Sequence, residues 1–116
     1  MNLNDTLQIS PAVSDGVLAL VLRGRLDAHS GDRARGAIID GFHSHTRVIL
    51  DCSEVTFISS AGLHAIVSGH RHSKDHGGTF AVVKPASDAA QTIAIAGIDR
   101  VISCFSTLHE AHAAVR

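Results

Sequence analysis

Val48-Ile49-Leu50-Asp51-Cys52-Ser53-Glu54-Val55-Thr56-Phe57-Ile58-Ser59-Ser60-Ala61-Gly62-Leu63 decides how the rest of the chain is read. Residues 47–52 form the clearest strand, with an apolar run of the kind found where both faces of a strand are covered. A polar turn follows, then two adjacent serines and two small residues. From there Leu63, Ile66, Val67 and His70 recur at helical spacing, so a helix is expected from Ser60 to about Asp75, ended by Gly77-Gly78.

Outward from this unit the chain keeps alternating. Val17–Leu22 reads as a strand after a turn at Gly16, with Leu7–Ser10 as its partner. Gly24 and Asp27 read as loop residues. A helix over Ser30–Phe42 would bury Ala34, Ala37, Ile38 and Phe42 on one face. Downstream, Thr79–Val83 reads as a strand closed by Pro85, and Ser87 as the N-cap of a helix through Ile93 and Ile95 that stops at Gly97. Val101–Phe105 reads as the last strand, and Thr107 as the cap of a final helix to Val115. Strand–helix alternation after an opening hairpin predicts an α/β fold: a mixed sheet of four to five strands, with the two long helices packed on one face. No repeat or linker interrupts it, so residues 1–116 are expected to be one domain.

Composition narrows the function. Apolar residues make up 45% of the chain and aromatics only 3%, so the core is aliphatic and stacking platforms for single-stranded nucleic acid are lacking. Charges of both signs are scattered to a net of −1, too little basic character for nucleic-acid binding. No apolar run approaches the roughly 20 residues that span a bilayer. Met1–Asp5 has neither the basic nor the apolar region of a signal peptide, which predicts a cytoplasmic protein. Cys52 and Cys104, far apart in sequence, fit core thiols in a reducing compartment better than a disulfide.

The serine pair opens a helix, where free backbone N–H groups and the positive end of the dipole favour an added phosphate. Such a group would bring nearly two negative charges, enough to disrupt a docked acidic or apolar surface. The same hydroxyls would serve equally well as a plain helix cap. The residues alone leave both readings open.

Asp51-x-Ser53-x-Val55-x-Phe57-Ile58-Ser59-Ser60-Ala61-Gly62-Leu63 resembles the signature turn of the STAS domain, the anti-sigma factor antagonist family. Gly24-Arg25-Leu26-Asp27 resembles that family's Gly-x-Leu-Asp turn, and Gly97-Ile98-Asp99-Arg100-Val101 with Phe105 its C-terminal region. The resemblance implies a STAS-like fold and a phosphoswitch rather than an enzyme. It implies an anti-sigma factor with a histidine-kinase-like ATPase fold as partner and kinase, and a PP2C-type phosphatase that reverses the modification. It implies no cofactor. Ser59 stands where the family usually has an acidic residue, and Ala61 where the founding sporulation-type members carry the acceptor. Ser60, nearer the glycine, is therefore the expected phosphorylation site ahead of Ser59. The expected docking surface is Asp27, Ser59, Ser60, Ala61, Gly62 and Leu63.

Other chemistries have weaker support. His72 and His76 are four apart, a spacing that holds divalent metals, yet no thiolate or carboxylate completes a set, so the nine histidines read as solvated and no metal is expected. There is no Gly-x-Ser-x-Gly elbow and no P-loop. Two alternatives to the phosphoswitch remain: a constitutive STAS scaffold subunit without phosphorylation, and a small-ligand or lipid-binding STAS protein of a transport system.

Overall fold

The computed structural model describes residues 7–116; the N-terminal reading over Met1–Asp5 lies outside them. Strand β1 (Gln8–Ser14) and β2 (Val17–Leu26) form a hairpin, followed by α1 (Ala28–Ser44), β3 (Arg47–Ile58), α2 (Ser60–Asp75), β4 (Thr79–Val83), α3 (Ala89–Ile95), a 3₁₀ turn (Ile98–Arg100), β5 (Ser103–Phe105) and α4 (Leu108–Val115). The five strands lie in chain order, β1 antiparallel to β2 and the rest parallel. This is the expected mixed sheet.

Local chemistry sets the elements. Asp15 and Gly16 both take positive φ, 54° and 76°, which makes the two-residue turn whose twist matches a hairpin. Pro11 is tolerated in β1 because an edge strand has one side unpaired. Alternate residues of the parallel strands face opposite layers. Leu18, Leu20, Val48, Leu50, Phe80 and Val82 pack with Ile38 of α1 and Ile66 of α2, while Ala19, Ile49 and Ala81 meet Ala111 and Val115 of α4 on the other side. Burying a side chain such as Ile38 or Ile66 stabilises the fold by about 1.5–3 kcal/mol. The two long helices share one face, as the pattern predicts, and the short C-terminal helix covers the other.

Several boundaries differ from those the sequence predicts. Ser53–Phe57 has the polarity of a turn, but it continues β3 to Ile58. Its polarity reflects exposure: Glu54, Thr56 and Phe57 are exposed while Val55 and Ile58 still enter the core. Helix α1 starts at Ala28, and Asp27 is its N-cap rather than a loop residue. The last strand begins only at Ser103, because Val101 lies in the turn after the 3₁₀ segment and is 70% exposed. Ser87 lies one residue before the α3 cap position, yet its hydroxyl accepts the Ala89 N–H at 3.2 Å and donates to Val55 O at 2.8 Å. Cys52 is buried, Cys104 half-buried, and both are free thiols.

Candidate functional site

Helices α1 and α2 follow the carboxyl ends of the adjacent parallel strands β2 and β3, so their N-termini emerge side by side. Open α/β sheets place their binding crevices at this end. The two ends are joined directly. The Ser59 N–H donates to Leu26 O at 3.0 Å. A Cβ on Gly31 of α1 would lie 3.3 Å from Ala61 O of α2. Gly62 is buried tighter still: a Cβ there would run into Leu26 O and sit 2.9 Å from Leu26 Cγ and 3.1 Å from Ile58 Cγ2.

The two serines have different positions and partners. Ser59 is the N-cap, half-buried, and its Oγ accepts the Gly62 N–H at 3.2 Å while its carbonyl accepts the Leu63 N–H at 3.0 Å. Ser60 is the first helical residue and is exposed. Among the described residues its hydroxyl has no partner, and the Ser60 and Ala61 amides of the first turn have none either.

Asp27 holds the other helix end. Its Oδ1 accepts the His29 and Ser30 N–H groups, each at 3.0 Å, and Ser30 Oγ accepts the Asp27 N–H at 3.0 Å, a reciprocal capping box. The Ser30 amide, with the Ser30 hydroxyl, the His29 amide and the Arg25 charge, holds the Asp27 carboxyl below its usual range. Arg25 lies 3.8 Å from Asp27 and 4.1 Å above the ring of Phe57, which is 39% exposed.

The fold thus gathers all six residues expected to dock a partner, though not all at the surface. Asp27, Ser59 and Ala61 are half-buried and Ser60 is exposed, whereas Gly62 is buried and Leu63 leans into the main core. Sequence reasoning missed Ser30, Gly31 and the Arg25–Phe57 stack. The Asp27-x-x-Ser30 spacing was the available signal for the first, since it is a capping pattern. The other two depend on tertiary approach and leave no local mark.

Elsewhere, His72 and His76 stack with ring centroids 4.1 Å apart, and His76 Nδ1 faces His72 O at 2.9 Å, so the two imidazoles do not converge on a common point. No group of three or more His, Cys, Asp or Glu among the described residues is placed to hold a metal ion. A surface hollow of about 540 Å³ lies beside the middle of β3 and beyond the end of β4, lined by Ser53, Lys84, Pro85, Ala86, Ala90, Gln91, Ala94, Asp99 and Ser106. Its wall is largely apolar, with Lys84 and Asp99 the charged groups in it. No helix among the described residues is long and apolar enough to cross a membrane.

Residues 8–111 match the STAS domain, and the chain belongs to that family. Within it the chain is of the anti-sigma factor antagonist type, a class of regulatory proteins rather than enzymes. It is 29% identical over 119 aligned positions to the anti-sigma-F factor antagonist RsfB of Mycobacterium tuberculosis, covering 100% of this chain and 95% of that one. An anti-sigma factor antagonist from Mycobacterium paratuberculosis has the same fold, with a TM-score of 0.87 at 25% identity over 100% of this chain and 99% of that one. The Bacillus cell fate determinant SpoIIAA, solved in its phosphorylated form, shares the fold at a TM-score of 0.69 and 20% identity over 95% of this chain and 99% of the other.

Proposed function

We propose that this chain is a single-domain cytoplasmic phosphoswitch, docking on an anti-sigma factor through the paired N-termini of α1 and α2. The observation that carries the reading is the division between the two serines. Ser59 is committed to capping, while Ser60 presents an exposed hydroxyl with no structural bond, on a turn fixed by Gly62 and Leu26. The partner is an anti-sigma factor with a histidine-kinase-like ATPase fold. It transfers the γ-phosphoryl group of ATP to Ser60 Oγ, releasing ADP and the hydroxyl proton. The added charge then lies on the docking surface formed by Asp27, Ser59, Ser60 and Ala61, where repulsion and desolvation weaken the complex. A PP2C-type phosphatase hydrolyses the phosphoserine and restores docking.

The test is incubation with the cognate kinase and ATP, followed by mass spectrometry of the modified peptide. Phosphate on Ser60, lost in Ser60→Ala, is expected, together with weakened docking of Ser60→Asp. Absence of phosphate on both serines, with docking unaffected by Ser60→Asp, would leave a constitutive scaffold subunit.

A further inference from the structure

We propose that a phosphate on Ser60 is received by the chain's own His64, with Arg35 across the helix–helix cleft as a second cation. The inference rests on the reading of Ser60 as acceptor and adds what holds the phosphate once it is there. Ser60 and His64 are four residues apart on α2, hence on one face one turn apart, and both are exposed. Side chains on a helix lean toward its N-terminus, so the His64 imidazole lies over the turn that contains Ser60 and Ala61. His64 and Ala61 together line a small cleft of about 70 Å³ that α1 closes with Gly31, Asp32 and Arg35. The cleft exists because Gly31 lets α1 approach the Ala61 carbonyl.

The charges facing His64 make the direction clear. Its own helix adds no other charged group to the cleft, Ser60 and Ser68 being the hydroxyls one turn to either side of it, and α1 contributes Asp32 and Arg35, which pair with each other at 3.7 Å. Among the described residues His64 itself has no hydrogen-bond or ionic partner. Before modification it therefore has nothing to bind. Afterwards a near-dianion stands one turn away, able to accept an imidazole N–H and to draw the Arg35 guanidinium from Asp32. Holding the phosphate along the α1–α2 groove places its charge across the docking surface.

The test installs phosphoserine at position 60 by genetic-code expansion, so it does not depend on a kinase, and follows the phosphate by ³¹P NMR across its second ionisation. An imidazolium partner favours the dianion. The midpoint in the wild-type background is expected about 0.2–0.4 pH unit below that of His64→Gln. His64→Lys, which keeps a cation, is expected to retain most of that difference. Equal midpoints in wild type and His64→Gln overturn the proposal, whatever a kinase does to Ser60. Conversely, a chain that shows the shift but is never phosphorylated by its kinase retains the contact and refutes the function proposed above.

Discussion

Gly62→Ala is the most direct probe of how the site is built. Gly62 is the second residue after Ser60, and the Cβ it lacks would collide with the Leu26 carbonyl and press on Leu26 Cγ and Ile58 Cγ2. Leu26 is fully buried and cannot swing aside, and its carbonyl is already bonded to the Ser59 N–H. Overpacking of this kind costs about 1–3 kcal/mol. Alanine offsets up to about 1 kcal/mol by its helix propensity and by restricting the unfolded chain. The net expectation is a loss of about 1–2 kcal/mol, or a Tm lower by about 4–8 °C for a chain of this length. Gly36→Ala is the matched control. Gly36 lies mid-helix in α1, exposed, and a Cβ added there would meet nothing within 4 Å. At that position the same substitution should raise Tm by about 2–4 °C. Thermal unfolding followed by circular dichroism measures both. A Gly62→Ala protein at or above the wild-type Tm would refute the close approach of α2 to β2 on which the geometry of the serines depends.

Asp27→Ala should cost about 1 kcal/mol by removing the cap of α1. Because the folded carboxyl titrates lower than the unfolded one, its contribution is whole at neutral pH and is lost in acid as pH falls below about 4 through the depressed value, so acid unfolding of wild type and Asp27→Ala should converge. Ser59→Ala should cost about 1 kcal/mol as a lost cap, whereas Ser60→Ala should stay within about 0.5 kcal/mol of wild type in urea unfolding. Burial raises the thiol pKa of Cys52 most strongly, with the Asp51 charge beside it, and burial likewise raises that of Cys104. Native protein should therefore react slowly with a thiolate-selective disulfide reagent, Cys52 slowest, and both should react at once in denaturant.

The architecture was legible because it follows from period and punctuation. The apolar run at Val48–Leu50, the helical spacing from Leu63 to His70 and the turn at Gly16 each map onto the element expected of them. What misled were residues whose local chemistry has two outcomes. The polar run Ser53–Phe57 looks like a turn, but it is strand whose outward side chains are exposed. Val101 looks like strand by its branched side chain, yet only its neighbour Ile102 reaches the core. An aspartate after a strand fits a loop or a cap, and the partner that decides, Ser30, lies three residues on. At the site, the serine pair was visible and its division of labour was not. Either hydroxyl could cap, and only the path of β3 into α2, fixed by the Ser59–Leu26 bond, selects Ser59.

That division bears on what the proposed phosphorylation would do to the molecule. If the modified hydroxyl were the cap, adding a phosphate would disturb the bond to the Gly62 amide and couple the switch to fraying of α2. With Ser59 as the cap, the bond survives modification of Ser60. The new charge then stands at the positive end of α2, beside the Ser60 and Ala61 amides, where an anion stabilises a helix by about 0.3–1 kcal/mol. Nearby Asp27 and Asp32 oppose this, and His64 and Arg35 favour it. The fold is therefore expected to be as stable with the phosphate as without it, within about 4 °C in Tm, so that the proposed switch would act on docking rather than on the chain's own folding. Protein carrying phosphoserine at position 60, compared with unmodified protein by thermal unfolding and amide exchange over α2, measures this. A fall of Tm well beyond that margin, or loss of protection in the first turn of α2, would show that Ser60 supports the helix and that the two serines share the cap.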